Sequence, residues 1–176
     1  MKNLRDIKAR FYKELYVGPS QISGEGLFAK EPILAGEPIL SFGGTLALVS
    51  ERHSQKYLPS TFAGITDAIM ICEDIGAEKD YSDFINHSCS PNIGMDDCLT
   101  VVAIRNIETG EELLCDYAFW EADENWQMKH MCNCGCANCR KKITGKDWKK
   151  TTSSDLLFPF YSPFLQRRII EYEKQS

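Results

Sequence analysis

The chain has 176 residues, of which 43% are hydrophobic and 26% are charged, and its formal net charge is −5. This length and composition predict one globular domain with short appendages. No apolar run approaches the roughly 18 residues that span a bilayer, and the first six residues have none of the features of a signal peptide. We therefore expect a protein without membrane contact that lies inside the cell, in the cytoplasm or the nucleus.

The charges are unevenly distributed along the chain. Between Glu73 and Glu124 there are fourteen acidic residues and two basic ones, whereas between Lys129 and Lys150 there are seven basic residues and one acidic one. One interpretation is two solvated faces. The other is an acidic body that attracts a cationic substrate and a basic tail that contacts a polyanion such as nucleic acid.

The first predicted element is an amphipathic helix over residues 4–16, because Leu4, Ile7, Phe11 and Leu15 recur at helical spacing. Short apolar runs separated by glycines then predict a series of brief strands. These are residues 16–17, 27–29, 38–42, 46–49, 68–72, 99–104 and 113–115.

Three further segments are predicted to be helical in whole or in part. Residues 50–58 form a short helical or irregular piece, and residues 120–131 are partly helical. A last helix over residues 162–174 begins with Ser162 as its cap and Pro163 in its first turn.

The heptapeptide Asn86–Asn92 places an amide, an imidazole, a hydroxyl and a thiol in four consecutive residues and then bends at Pro91. Three chemistries use such groups. They are a Cys/His nucleophile pair, a metal site, and a polar wall around a ligand.

Half of the eight cysteines lie within eight residues, at Cys132, Cys134, Cys136 and Cys139. A cluster of this kind predicts a metal site rather than a disulfide framework. Tetrahedral Zn²⁺ takes four such ligands. Three come from Cys132, Cys134 and Cys139, and the fourth is either Cys136 or a cysteine of a distant loop, for which Cys89 is the candidate. The alternative is four reduced cysteines in a loop.

Two more motifs are weak when each is taken alone. In the segment 23–29, two glycines flank Glu25 and allow a ligand to approach the backbone. In the segment 110–117, a predicted strand ends in Asp116-Tyr117. The functional interpretation is a phenol presented at the edge of a sheet. The alternative is a tyrosine that only caps a core strand.

In this order and spacing, the motifs resemble those of the SET-domain protein-lysine methyltransferases. The resemblance covers residues 18–140 and rests on four pieces: Gly24-Glu25-Gly26-Leu27 with Ala29, residues 81–85 running into the heptapeptide, residues 110–117, and Cys132 to Cys139 as a post-SET zinc segment. It implies a mostly β fold of small curved sheets with short helices, a threaded (pseudoknot) C-terminal segment and a C-terminal helix. The implied division is a helical flank (1–17), a SET domain (18–120), a post-SET segment (121–142) and a helical extension (143–176).

The resemblance also implies the site residues. S-adenosylmethionine would be bound by Gly24, Glu25, Gly26, Leu27, Asn86, His87 and Tyr117, and Tyr117 would be the catalytic residue. The channel for the target lysine would be lined by Phe62, Cys115 and Phe119. One structural Zn²⁺ would be held by Cys89, Cys132, Cys134 and Cys139. The activity would be methyl transfer to a lysine ε-amine of a histone or another lysine-rich protein.

Three departures from the family pattern stand out. Cys115 occupies a position where relatives carry Phe or Tyr, and its smaller side chain favours a higher degree of methylation. A pre-SET zinc cluster is missing, which suggests a free-standing enzyme of the microbial or viral kind, delivered into a host cell if microbial. Cys136 is an extra thiol in the zinc segment.

Two other functions compete with this one. A catalytically silent SET module would bind a partner, but such modules tend to lose the tyrosine or the Asn-His pair, and this chain keeps Tyr117, Asn86 and His87. A hydrolase using Cys89 and His87 is disfavoured because side chains two residues apart seldom face each other.

Overall fold

The structure is a computed structural model, and it describes residues 6–58 and 61–175. The strands within these residues are β1 (Asp6–Ile7), β2 (Arg10–Phe11), β3 (Leu15–Pro19), β4 (Glu25–Ala29), β5 (Pro38–Ser41), β6 (Gly44–Leu48), β7 (Ala63–Gly64), β8 (Ile69–Cys72), β9 (Asn86–His87), β10 (Ile93–Met95), β11 (Thr100–Ala103) and β12 (Leu114–Cys115). Short 3₁₀ helices cover Val49–Glu51, Tyr81–Phe84, Tyr117–Phe119, Asp147–Lys150 and Phe158–Phe160, and one α-helix, α1, covers Pro163–Glu173.

The strands form three small sheets. Their orders are β1-β6-β8-β7, β2-β5-β11-β10-β12-β9 and β3-β4. One core joins the sheets to α1, because Leu27, Ile39 and Ile93 pack in the same cluster as Phe164 and Leu165 of the helix. The fold is therefore mostly β with a C-terminal helix, as the sequence predicted.

The strand β12 lies between two strands that precede it in the chain. It pairs in parallel with β9 through Cys115 and His87, and in parallel with β10 through Cys115 and Ile93. The backbone N–H groups of Ser88 and Asn92 donate to carbonyls of the same strand, at 2.9 and 3.0 Å. The strand β12 thus lies between β9 and β10 and against the bend that connects them, an arrangement that agrees with the predicted threaded topology.

The predicted N-terminal helix is wrong within the described residues. β1 pairs with β6, β2 pairs with β5, and Leu15 begins β3. The spacing of the apolar residues fits a helix, but the open edges of two sheets offer backbone partners that override this local pattern. Residues 4 and 5 of the predicted helix lie outside the described residues.

The other helical predictions have mixed outcomes. Residues 120–131 contain no helix and run as turns, with Gln127 bridging to Thr144. Residues 50–58 are irregular after the turn at Val49–Glu51, as expected. The helix α1 begins with Pro163 in its first turn, although the buried hydroxyl of Ser162 makes no capping hydrogen bond. Among the described residues, no helix is long and apolar enough to cross a membrane.

Candidate active site

Tyr117 begins a 3₁₀ turn directly after β12. The carboxylate of Asp116 accepts from the backbone N–H of Ala118 at 3.0 Å and so caps the turn. The phenol of Tyr117 donates to the carbonyl oxygen of Ile85 at 2.9 Å. Burial raises the pKa of this phenol, so Tyr117 remains protonated and keeps its hydrogen bond at neutral pH.

His87 is buried between Tyr117 and Cys89. Burial lowers its pKa to about 4, so the ring is neutral at neutral pH. Its Nδ1 accepts from the backbone N–H of Tyr117 at 3.2 Å, which places the ring proton on Nε2, 3.4 Å from the Sγ of Cys89. Both ring nitrogens are therefore engaged inside the protein.

This contact corrects one expectation. Cys89 and His87 do face each other although they are two residues apart, because the chain bends after β9. The arrangement still does not make a nucleophile pair. An Nε2 that already carries the proton cannot accept one from the thiol, and Cys89 lies among three other cysteines.

Tyr117 lines a cavity of about 520 Å³. Ile85 and Phe62 line the same cavity, as do Trp120 and Trp126, whose rings lie 5.8 and 6.4 Å from the ring of Tyr117. Charged side chains lie on the wall as well: Arg52, Glu73, Lys79, Asp83, Glu121 and Lys129. The cavity wall is therefore aromatic beside the phenol, and the wall as a whole carries both signs of charge.

Of the three predicted channel residues, only Phe62 lines this cavity. Cys115 is fully buried in β12, where its thiol contacts the carbonyl of Asp116 at 3.8 Å. Phe119 is fully buried with its ring 4.8 Å from that of Tyr161. Both side chains belong to the buried core and not to the cavity wall. The sequence did not indicate Trp120 or Trp126 as cavity residues.

The side-chain amide of Asn86 contacts the turn that contains the predicted cofactor residues Gly24 and Glu25. The Nδ2 of Asn86 donates to the carbonyl oxygens of Ser23 at 3.2 Å and of Glu25 at 2.9 Å, and to the carboxylate of Glu112 at 2.9 Å. Gly24 lies in the turn between β3 and β4 with a φ of +52°, a conformation that favours glycine.

Glu112 completes this cluster, although sequence reasoning gave it no role. Its carboxylate also accepts from the hydroxyl of Ser20 at 2.8 Å. A Cβ on Gly26 would lie 2.2 Å from its Oε1, so a larger residue there would displace this carboxylate. Leu27 is fully buried, and its carbonyl accepts from Leu113 at 2.7 Å. The strand containing Leu27 is thus fixed against the segment that leads to Tyr117.

The four predicted zinc ligands converge. The sulfurs of Cys89, Cys132, Cys134 and Cys139 all lie within 4.8 Å of one another, and all four are free thiols. A tetrahedral zinc with sulfurs at about 2.3 Å brings its ligands to comparable separations, so this donor set fits Zn²⁺. The Sγ of Cys136 lies 3.5 Å from that of Cys134 but outside the set of four.

Arg140 links this cysteine cluster to the active site. Its backbone N–H donates to the Sγ of Cys89 at 3.4 Å, and its guanidinium donates to both oxygens of Asp116 at 2.6 Å. A second nitrogen lies 3.1 Å from the carboxylate of Asp147, which is buried. The sequence placed Arg140 in a basic run, and nothing in its pattern indicated a buried ion pair.

The basic run as a whole is less available than its composition suggests. Lys146 and Lys149 contact Glu124 at 3.6 and 2.6 Å, and Lys150 contacts Asp147 at 3.1 Å. With Arg140, four of the seven basic residues are paired with acidic residues. This favours the interpretation of a solvated, internally paired surface over a polyanion site.

Residues 24–118, more than half of the chain, match the family model of the SET domain. The chain therefore belongs to the SET-domain family. It is 33% identical over 141 residues to an H3 lysine-4 specific histone-lysine N-methyltransferase of Cryptococcus neoformans var. neoformans, covering 73% of this chain and 10% of that protein. It is 34% identical to the histone-lysine N-methyltransferase trithorax of Drosophila virilis, covering 78% of this chain and 4% of that protein.

Among solved structures, the chain is similar to KRYPTONITE in complex with mCHG DNA and SAH. The TM-score is 0.59 and the identity 26%, over 76% of this chain and 29% of that one. The chain thus spans only a small part of the relatives and of the structure that it resembles.

Proposed function

We propose that this SET domain transfers a methyl group from S-adenosylmethionine to the ε-amine of a lysine in a histone or a similar basic protein. The observation that carries the proposal is the phenol of Tyr117, which is fixed on the carbonyl of Ile85 at the wall of an aromatic cavity. The names of the relatives, which are histone-lysine N-methyltransferases, support the same activity.

The residues of the cavity suit a lysine side chain. When bound, S-adenosylmethionine supplies a methyl group on a positively charged sulfur, so the protein has to align the amine and to favour its neutral form. Aromatic walls at Phe62, Trp120 and Trp126 desolvate an entering ammonium group and lower its pKa. The oxygen of Tyr117 donates to Ile85 and still has lone pairs that accept contacts from the amine or from a polarised methyl group.

The cofactor would be held by the cluster around Asn86. The Nδ2 of Asn86 is fully used by three acceptors, whereas in the described part of the chain no donor contacts its Oδ1. That oxygen suits the amino group of S-adenosylmethionine. The side chain of His87 is engaged on both nitrogens, so a contact from this residue to the cofactor would come from its backbone. A solved SET-domain relative was obtained with SAH, which supports this class of cofactor.

The four cysteines would hold one structural Zn²⁺. The metal would tie the bend after β9, through Cys89, to the segment that carries Cys132, Cys134 and Cys139. We assign residues 18–120 to the SET domain, 121–142 to the post-SET segment and 143–176 to a C-terminal extension. A substrate of this class would place the protein in the nucleus.

A methyl-transfer assay tests the proposal. The protein is incubated with methyl-labelled S-adenosylmethionine and purified core histones, beside Tyr117→Phe and the control Tyr12→Phe. Tyr12 is an exposed tyrosine whose hydroxyl contacts Ser41 away from the cavity. We expect transfer by the wild type and by Tyr12→Phe, and a loss of at least about a hundredfold in Tyr117→Phe. Cofactor binding without any transfer by the wild type would favour the silent module instead.

A further inference from the structure

An arginine on the cavity wall connects two segments that are distant in sequence. Arg52 lies in the β6–β8 connection, of which the structure describes residues 49–58 and 61–68, and its side chain is only 11% exposed. Its Nη2 donates to an oxygen of Glu121, and its Nε lies 3.2 Å from the carboxylate of Asp123. Both acidic residues follow Tyr117 in the chain.

The same guanidinium covers an aromatic ring of the cavity. Its central carbon lies 4.7 Å from the centre of the Phe62 ring, in a cation–π contact. Arg52 therefore contacts Phe62 on one side and Glu121 on the other, and all three side chains line the cavity beside Tyr117.

Glu121 is buried and is hydrogen-bonded to the residues around Tyr117. It is 4% exposed, its backbone N–H donates to the carbonyl of Tyr117 at 3.0 Å, and its second carboxylate oxygen accepts from the N–H of Asp123 at 2.8 Å. Burial raises the pKa of Glu121, and Arg52 opposes that rise. Without Arg52, this carboxylate would be left in a buried position with no charged partner from the connection. The two segments would then keep only weaker contacts, such as those of His53 with Asp123 at 3.6 Å and of the Gly64 N–H with the carbonyl of Trp120 at 3.4 Å.

We propose that Arg52 is a positioning residue that fixes the wall of the lysine-binding cavity by tying the β6–β8 connection to the turn after Tyr117. The structural role of Arg52 is independent of the activity, whereas its expected effect on catalysis rests on the proposed function. A planar guanidinium serves this purpose because it pairs with two carboxylates in its plane while its face stacks on Phe62. The cofactor cluster around Asn86 makes none of these contacts, so we expect the loss of Arg52 to change the binding of the protein substrate and not that of the cofactor.

The test compares Arg52→Gln and Arg52→Lys with the control Arg167→Gln. Arg167 also pairs with a carboxylate, that of Asp67, but it is half exposed and lies on α1. For Arg52→Gln we expect the KM for core histones to rise about tenfold and the Kd for S-adenosylmethionine to stay within about twofold of the wild type. Arg52→Lys should fall in between, because it keeps the charge and loses the second pairing and the stacking. Arg167→Gln should match the wild type.

Amide hydrogen exchange provides a readout that does not need activity. Exchange of residues 49–58 should become faster in Arg52→Gln and not in Arg167→Gln. Unchanged exchange, an unchanged KM, or an equal loss of histone and cofactor binding would each overturn the inference. A wild type that transfers no methyl group would contradict the proposed function, whereas the exchange comparison would still decide whether Arg52 ties the two segments together.

Discussion

The guanidinium of Arg140 binds both carboxylate oxygens of Asp116 at 2.6 Å. Asp116 directly precedes Tyr117, and Arg140 directly follows Cys139. One bidentate ion pair therefore joins the cysteine cluster to the residue that positions the phenol. The pair is supported from the C-terminal extension by Asp147, so three parts of the chain meet beside the active site.

Removing Arg140 should destabilise the protein strongly. Arg140→Met leaves the buried carboxylate of Asp116 without its arginine partner and that of Asp147 with Lys150 as its cationic partner, and we expect the free energy of unfolding to fall by about 3 kcal/mol. Urea unfolding in the presence of zinc measures this. Arg105→Met is the matched control, because Arg105 pairs with Glu111 in a half-exposed position and should cost less than about 1 kcal/mol. Equal losses in the two variants would contradict the central role of the Arg140 pair.

The zinc assignment predicts how metal content depends on individual cysteines. The wild type, Cys136→Ser and Cys98→Ser should each bind one zinc per chain, because Cys136 and Cys98 lie outside the converging set. Cys89→Ser should bind zinc weakly and lose it to a chelator. Elemental analysis of the purified variants measures the content. Tight zinc binding by Cys89→Ser, with loss in Cys136→Ser, would assign the fourth ligand to Cys136.

Replacing Gly26 should weaken cofactor binding through Glu112. The added Cβ would lie 2.2 Å from the Oε1 of Glu112, and this oxygen also accepts from Asn86. Displacement of the carboxylate would release Asn86, so we expect Gly26→Ala to raise the Kd for S-adenosylmethionine by about tenfold.

Titration calorimetry measures this change, and Gly18→Ala is the control. Gly18 pairs with Gly26 across the β3–β4 hairpin, but a Cβ there meets its nearest neighbour, Tyr16, only at 3.4 Å. If both variants bound the cofactor like the wild type, the cluster around Asn86 would not be the cofactor site.

Glu73 should make stability depend on pH. Burial raises its pKa from 4.5 to about 7, and the neighbouring Asp83 and Asp80 add to the rise. Because the folded pKa lies above the unfolded one, the folded state favours the protonated acid. Its ionisation therefore destabilises the protein progressively from about pH 4.5 to about pH 7, and the full penalty is present above pH 7.

Glu73→Gln removes this penalty. Because Glu73 is partly exposed, we expect the variant to be more stable than the wild type by about 1 kcal/mol at pH 8 and to differ little at pH 4.5. Melting temperatures at the two pH values measure the effect. Glu78→Gln, which removes an exposed carboxylate of the same loop, is the control. A stabilisation that is equal at both pH values would contradict the assignment to Glu73.

The features that could be predicted from the sequence are those encoded in short local motifs. The converging cysteines and the position of Tyr117 after a strand follow from short patterns in which each side chain has a defined chemistry. The predicted helix was wrong over its described residues, 6–16, because partners distant in sequence, β5 and β6, determine the conformation there.

The cavity was harder to predict because its wall is assembled from contacts across the chain. Arg52 and Glu121 are 69 residues apart, and no local sequence pattern indicates that they pair. Cys115 and Phe119 were placed in the channel by analogy, whereas the structure buries Cys115 within β12 and Phe119 in the turn that begins at Tyr117, both in the core. The orientation of a side chain after a bend depends on tertiary packing, which a motif does not contain.

The most direct test of the proposed activity is the identity of the methylated residue. Core histones are incubated with the protein and S-adenosylmethionine, digested and analysed by tandem mass spectrometry, beside a parallel reaction with Tyr117→Phe. We expect methyllysine in the wild-type reaction and its loss with Tyr117→Phe. Methylation of a residue other than lysine, or methyllysine formed equally by both proteins, would contradict it.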